Sequence, residues 1–156
     1  MGKLHGGNRM WTELRKGRHS ICGQEYFITF NTYSRTPLFH NLNFAHLFCR
    51  HIQINENKTQ CKWLTWVLMP DHFHGLLRLG TQSLPNTIAH LKGGSAFKIN
   101  KLNNHNIKIW QKNYYDHALR KEEDRQQISR YILANPLRKG LVCSISKYPY
   151  WNSVYL

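Results

Sequence analysis

The sequence predicts an α+β protein, with an antiparallel sheet of four or five strands and helices packed mainly on one face. Segments rich in β-branched and aromatic residues alternate along the chain with segments whose apolar residues recur every three or four positions. Two of the strand-like segments are separated only by a Pro-Asp turn, which predicts an antiparallel hairpin. The length of 156 residues suits one domain, and 41% hydrophobic with 13% aromatic residues excludes a disordered chain.

The first half of the predicted domain is ordered strand, helix, strand, strand. Residues 24–31 are predicted as a strand that is apolar on both sides. A helix is predicted over residues 38–52, where apolar residues recur at helical spacing, and residues 55–60 are predicted as a polar turn. Residues 62–69 and 72–79 are predicted as the two strands of the hairpin.

The second half is predicted as helix, strand, helix. A helix is predicted over residues 86–103, and residues 107–119 are predicted to be extended. A third helix is predicted from residue 121, with acidic residues in its first turn, to about Asn135, where Pro136 would end it. The positions predicted to face inward on this helix are Ile128, Tyr131, Ile132 and Leu133.

The charge of the chain predicts a polyanionic partner. There are 22 Lys and Arg residues against 8 Asp and Glu, a formal net charge of +14. Residues 1–20 are predicted as a basic arm or loop, and residues 21–156 as a single domain. No apolar run approaches the roughly twenty residues of a membrane span, and the first residues lack the apolar core of a signal peptide, so we expect a cytoplasmic protein without a membrane partner.

A His-Phe-His segment is the first candidate for chemistry. On a strand, His72 and His74 point to one face while Phe73 points to the other, and two adjacent imidazoles can bind a divalent ion. The alternative is two partly exposed histidines in a chain that has ten. Apolar residues flank the pair on both sides, which favours a ligand because unpaired polar rings in a core hairpin cost free energy. A zinc site at His46, Cys49 and His51 is disfavoured because no second Cys/His pair at zinc-finger spacing completes it.

Tyr131 and Asn135 form the second candidate. They are one helical turn apart and would share a face. A tyrosine hydroxyl attacks phosphorus well when the phosphate is polarised by a metal, and an asparagine oxygen can ligate that metal. The alternative is a core tyrosine with its hydroxyl at the surface, and the spacing alone favours this alternative.

Three segments carry a resemblance to a known family. They are WVLMPDHFH at residues 66–74, WQ at 110–111 with DHALR at 116–120, and YILANPLRKGLV at 131–142. Occurring in this order, they resemble the single-tyrosine HUH transposases, and more narrowly the REP-associated tyrosine transposases, a branch of the IS200-like group. The resemblance covers residues 26–151 and implies the ferredoxin-like, RRM-like HUH fold.

The resemblance also implies roles for four residues. His72 and His74 match the pair that binds Mg²⁺ or Mn²⁺, and Asn135 matches the residue that completes the metal site. Tyr131 matches the nucleophile that attacks single-stranded DNA, giving a 5′-phosphotyrosine and a free 3′-hydroxyl. Some members of the wider group work as dimers and REP-associated members can act as monomers, so we expect a monomer or a homodimer.

Two tyrosines and a set of basic residues complete the predicted site. Tyr114 and Tyr115 compete with Tyr131 as nucleophile, and the helical spacing to Asn135 favours Tyr131. Taken singly, each basic residue is better explained as a solvated surface residue and Trp110 as a core anchor, whereas the charge of +14 favours DNA contacts for the set. The predicted DNA-binding residues are Arg9, Arg15, Lys16, Arg18, Lys92, Lys98, Lys112, Arg120, Arg138 and Lys139 for phosphates, and Trp110, Tyr114 and Tyr115 for bases.

The expected function is therefore metal-dependent nicking and strand transfer on single-stranded hairpin DNA of the REP type, in the cytoplasm and associated with the nucleoid. The alternative is a non-catalytic nucleic-acid-binding module on the same fold. Phosphoesterases with paired HxT/S motifs are discounted because the chain has one HxH segment.

Overall fold

The computed structural model describes residues 20–156. Residues 1–19 of the predicted basic arm lie outside this range. They include four predicted phosphate contacts, Arg9, Arg15, Lys16 and Arg18. In chain order the elements are β1 (Glu25–Asn31), α1 (Leu42–Thr59), β2 (Lys62–Met69), β3 (His72–Arg78), α2 (Leu84–Asn103), β4 (Tyr115–Ala118), α3 (Arg125–Leu133), α4 (Asn135–Arg138) and β5 (Trp151–Ser153).

The strands form one five-stranded antiparallel sheet, in the order β4-β1-β3-β2-β5. This confirms the predicted α+β class and the hairpin of β2 and β3. The segment predicted to be extended, residues 107–119, supplies β4, and Trp110 makes an isolated bridge to Thr32. Strand β5 was not predicted, because its three residues are too few to show an alternating pattern.

The two faces of the sheet differ in composition. His72 and His74 of β3 pair in register with Asn31 and Thr29 of β1, so these four residues point to one face, which we call the histidine face. Helix α3 packs on this face, where the Thr65 hydroxyl donates to Ser129 Oγ at 2.8 Å. The two long helices, α1 and α2, pack on the opposite face, which we call the aromatic face.

The aromatic face holds the densest part of the core. The Phe73 ring lies 4.9 Å from that of Phe30, 5.3 Å from that of Phe48 and 5.2 Å from that of Trp63, measured between centroids. Gly75 leaves room for Trp63, because a Cβ at this position would lie 2.6 Å from the indole ring. Close ring packing on this face therefore fixes the backbone of β3.

Trp110 belongs to this core and does not stack on bases as predicted. Its ring lies 4.8 Å from that of Phe30, its indole N–H donates to Ser95 Oγ at 3.1 Å, and it is only 9% exposed. The isolated bridge to Thr32, the residue that follows β1, places Trp110 beside the end of that strand. An exposed DNA-stacking role is therefore wrong for Trp110.

Lys92 is also buried, against the prediction of a phosphate contact. It is 9% exposed, and its ammonium donates to the carbonyl oxygens of Gln111 at 2.7 Å and Asn113 at 3.0 Å. The ammonium also lies 5.5 Å from the Phe30 ring centroid. Lys92 thus anchors the loop before β4 to helix α2.

The predicted polar turn at residues 55–60 is wrong, because α1 continues through it to Thr59. Asn55 is fully buried, its Nδ2 donates to the carbonyl of Thr87, and its Oδ1 accepts from Trp63 Nε1 at 3.0 Å. A polar residue that bonds neighbouring elements is compatible with a helix interior. The helix ends at Gln60, whose φ of 57° is left-handed.

The other helix boundaries differ from prediction by a few residues. Helix α2 begins after the N-cap Ser83, and α3 begins after the N-cap Asp124 rather than at residue 121. Helix α3 ends at Leu133, and Pro136 occupies the first turn of α4 instead of ending a helix.

Candidate active site

His72 and His74 lie side by side on β3. Their ring centroids are 4.8 Å apart and the rings are perpendicular. His72 is buried and His74 half-buried. The pair has the arrangement expected from the alternation of a strand, with Phe73 in the core on the other side.

Each ring is held through its Nδ1. His72 Nδ1 lies 2.6 Å from Asp71 Oδ1, and His74 Nδ1 lies 2.8 Å from the Thr29 hydroxyl. In the tautomer with the proton on Nδ1, each ring donates to its oxygen partner, and the lone pairs of both Nε2 atoms are left for a ligand. Histidine ligands of metal ions are commonly oriented by such oxygen acceptors. The donor set therefore fits a divalent metal ion.

The surroundings keep both imidazoles neutral. Burial lowers the pKa of His72, an effect that outweighs the opposite influence of Asp71. Burial lowers the pKa of His74 to about 3, and the neighbouring His72 ring and the positive charges of Arg138 and Arg35 act in the same direction. Neutral imidazole is the form that binds a metal.

Arg35 is a residue that the sequence analysis missed. Its Nε lies 3.0 Å from Asp71 Oδ2, while the other oxygen of that carboxylate contacts His72 Nδ1. Arg35 therefore fixes the position of the carboxylate that orients His72. Ser34 and Arg35 both have left-handed backbone angles, with φ of 55° and 54°. The turn is fastened by the Thr32 hydroxyl, which donates to the carbonyl of Thr36 at 2.7 Å. No spacing in the sequence connects Arg35 with the histidines. Asp71, in contrast, directly precedes His72 in the sequence.

Tyr131 lies on α3, beside the histidine face, and is 57% exposed. The ring of Phe27 contacts both Tyr131 and the histidine pair, because its centroid lies 6.4 Å from that of Tyr131 and 5.9 Å from that of His74. The guanidinium of Arg138 lies 4.4 Å from the Tyr131 ring centroid. The position on the helix is as predicted, but the side chain is at the surface and not in the core.

Asn135 lies at the start of α4 and is 6% exposed. Its Nδ2 donates to the carbonyl of Ile132 at 2.8 Å, which leaves Oδ1 as the atom able to ligate a metal. Within residues 20–156, no group of three or more His, Cys, Asp or Glu side chains is placed to hold a metal ion. A third protein ligand beside the histidine pair would therefore come from another residue type, such as this amide.

The competing tyrosines lie in different surroundings. Tyr115 pairs with Thr29 in the sheet, so it shares the histidine face, and its ring lies 6.2 Å from that of Phe27. Tyr114 is half-buried and packs against the core. Two exposed tyrosines, Tyr115 and Tyr131, therefore border Phe27 from different sides.

The remaining predicted DNA contacts differ in position. The positive charges of Arg138 and Lys139 act on the histidine pair, and both side chains are exposed. Lys112 and Arg120 are exposed on the loops that flank β4. Lys98 is on α2, which packs on the aromatic face, away from the histidines.

Comparisons with known proteins agree with this geometry. Residues 20–135 match the model of the family described as Transposase IS200 like. A REP-associated tyrosine transposase of Escherichia coli K12 is 26% identical over 136 residues, 85% of this chain and 78% of the relative. An uncharacterized protein of Haemophilus influenzae is 26% identical over 149 residues, 72% of this chain and 79% of that protein.

Two solved structures share the fold. A REP-associated tyrosine transposase bound to a REP hairpin superposes with a TM-score of 0.72 at 23% identity, over 86% of this chain and 79% of the other. A candidate transposase of Deinococcus radiodurans R1 superposes with a TM-score of 0.51 at 23% identity, over 76% of this chain and 95% of the other. In the part of the chain that the structure describes, no helix is long and apolar enough to cross a membrane. Because the family match spans well over half of the 156 residues, the chain belongs to the IS200-like transposase family.

Proposed function

We propose that this protein is a REP-associated type of tyrosine transposase, which nicks and rejoins single-stranded hairpin DNA through a 5′-phosphotyrosine. The observation that carries the proposal is that one ring, Phe27, contacts both the exposed Tyr131 and His74 of the histidine pair. A nucleophile and a metal-binding pair on one open face can act on the same phosphate.

The residues proposed to hold Mg²⁺ or Mn²⁺ are His72 and His74 through Nε2 and Asn135 through Oδ1. Two neutral imidazoles with both Nδ1 atoms engaged, and a free amide oxygen, fit a divalent ion. Bound there, the ion supplies Lewis-acid polarisation of the scissile phosphate.

Tyr131 is proposed as the nucleophile. Its hydroxyl oxygen forms a bond to phosphorus as its proton is lost, the bond from phosphorus to the 3′-oxygen breaks, and that oxygen takes a proton to become a 3′-hydroxyl. The DNA 5′-phosphate remains on the tyrosine, so a later attack by a 3′-hydroxyl reverses the reaction and needs no ATP. The guanidinium of Arg138, 4.4 Å from the Tyr131 ring, stabilises negative charge on the phosphate.

Hairpin DNA is the proposed partner because of the charge of the chain and the likeness to the hairpin-bound transposase. The exposed Arg138 and Lys139 beside the site, and Lys112 and Arg120 near β4, are proposed to contact phosphates. Tyr115 is proposed to stack on an unpaired base, with Tyr114 supporting the loop. We propose that the protein acts as a monomer or homodimer on nucleoid DNA in the cytoplasm.

The test is the formation of a covalent protein–DNA species on a denaturing gel, with single-stranded hairpin oligonucleotides and Mn²⁺. We expect an adduct with the unaltered protein and with Tyr114→Phe and Tyr115→Phe, but none with Tyr131→Phe. If the unaltered protein binds the DNA but gives no adduct, the protein is a non-catalytic binding module.

A further inference from the structure

We propose that a cavity beside Tyr131 binds the nucleobase next to the scissile phosphate, and that it selects a base with an exocyclic amino group, adenine, cytosine or guanine, over thymine. This inference rests on the proposed function, because it places the scissile phosphate at the histidine pair.

The cavity has a volume of about 530 Å³. Tyr131 and Phe27 both line it, and the Phe27 ring also lies 5.9 Å from that of His74 between centroids. Ile128 of α3 adds an apolar wall. A strand whose scissile phosphate lies at the Tyr131 hydroxyl therefore has a neighbouring base within reach of this cavity.

The walls suit the flat face of a base. The rings of Phe27 and Tyr131 are tilted by 64° to each other, so a base that stacks on one ring meets the edge of the other. Stacking on aromatic side chains contributes to binding of every base and does not discriminate among them. Selection must come from the polar groups of the cavity.

Two of the acidic groups in the cavity already have partners. The Glu123 carboxylate accepts from His117 Nε2 at 2.8 Å and from the Arg120 backbone N–H at 3.1 Å. Asp124 accepts from two backbone N–H groups at the start of α3. Glu123 and the Oδ1 atom of Asp124 are therefore already hydrogen-bonded within the protein.

The Glu122 carboxylate and the Gln127 amide are the polar groups available to bind a base. Both side chains line the cavity and are exposed, and neither side chain has a hydrogen-bond partner among residues 20–156. The carboxylates of this cavity repel a phosphate. The Glu122 carboxylate can accept a hydrogen bond from the amino group of a base such as cytosine, and the Gln127 amide can bind adenine. Thymine has no amino group, and carbonyl oxygens, which a carboxylate repels, lie on both sides of its single N3–H donor.

The inference is tested by equilibrium binding of the Tyr131→Phe protein, which cannot form the adduct, to hairpin oligonucleotides with Mn²⁺. Each unpaired position is made abasic in turn, and the position with the largest loss is then varied among adenine, cytosine, guanine and thymine. We expect a loss of roughly tenfold for the abasic site and a preference of roughly tenfold for each of the three amino-bearing bases over thymine.

Substitutions connect this preference to the cavity. Glu122→Ala and Gln127→Ala should each reduce the preference for amino-bearing bases, and together should abolish it. Gln126→Ala is the matched control, because Gln126 is exposed on α3 next to Gln127 but does not line the cavity. It should retain the full preference.

The results separate the two proposals. A preference that survives the double substitution, or the absence of any base-dependent position, would overturn the cavity proposal even if the unaltered protein forms the adduct. A preference that depends on Glu122 and Gln127 would support the cavity as a base-binding site even if no adduct forms.

Discussion

The two faces of strand β3 have opposite character. Phe73 is fully buried on the aromatic face, where three rings lie within 5.3 Å of it between centroids. One residue to either side, His72 and His74 point to the face on which the short helix α3 packs and beside which the exposed Tyr131 lies. The close-packed face fixes the backbone, and a fixed backbone can hold two polar rings in one geometry on the open face.

Truncation on the aromatic face should have the largest effect. We expect Phe73→Ala to lower the free energy of unfolding by about 3–5 kcal/mol, because it leaves a cavity among tightly packed rings. Chemical denaturation followed by tryptophan fluorescence measures this change. Tyr131→Phe is the control and should change stability by less than about 0.5 kcal/mol. An equal loss from both variants would contradict the contrast between the two faces.

The sequence predicted much of this contrast and missed particular parts of it. Alternation along residues 72–78 places the histidines and Phe73 on opposite faces, because a strand has a period of two. Asn55 misled the prediction of a turn, since a polar side chain bonded across elements has the same sequence signal as one in a loop. The link from Arg35 to Asp71 is a tertiary contact across 36 positions, so no local pattern could indicate it.

Truncation on the histidine face should affect activity and spare stability. We expect His74→Ala to slow adduct formation by roughly a hundredfold or more, because a metal-binding imidazole is lost. The unfolding free energy should change by about 1 kcal/mol or less, since the ring is half-buried. Quantified denaturing gels and denaturation curves measure the two effects. If His74→Ala unfolds the protein instead of slowing adduct formation in a folded protein, His74 has a structural role in the core and the prediction is wrong.

The groups behind the histidines should set metal affinity. We expect Asp71→Asn and Arg35→Ala each to weaken Mn²⁺ binding by roughly tenfold, because His72 loses the partners that orient it. Calorimetric titration of the DNA-free protein with Mn²⁺ measures this affinity. Arg50→Ala is the matched control, an exposed arginine on α1 at the other side of the sheet. Unchanged affinity in Asp71→Asn would show that this carboxylate does not position His72.

The attachment of α3 to the histidine face should depend on pH. Glu25 accepts from Arg125 Nε of α3 at 2.6 Å and from Arg78 Nη2 of β3 at 2.9 Å. Burial acts to raise the pKa of Glu25, but the two arginines outweigh it and the pKa is lowered. The carboxylate therefore stabilises the fold at neutral pH, and this contribution is lost as the pH falls through the lowered pKa.

Glu25→Gln isolates this contribution. We expect the variant to be less stable than the unaltered protein by about 1 kcal/mol at pH 7, and the difference to shrink as the pH falls below the ordinary glutamate value. Denaturation midpoints measured at several pH values test this dependence. A difference that is constant down to pH 3 would mean that the ionised carboxylate is not the stabilising form.

The central claim is that Tyr131 on the open face carries the DNA during the reaction. The most direct test is protease digestion of the covalent species formed with a hairpin oligonucleotide and Mn²⁺, followed by mass spectrometry of the modified peptide. We predict a nucleotide linked through its 5′-phosphate to Tyr131, on a peptide that contains helix α3. The same modification on Tyr115 or Tyr114 would contradict the account.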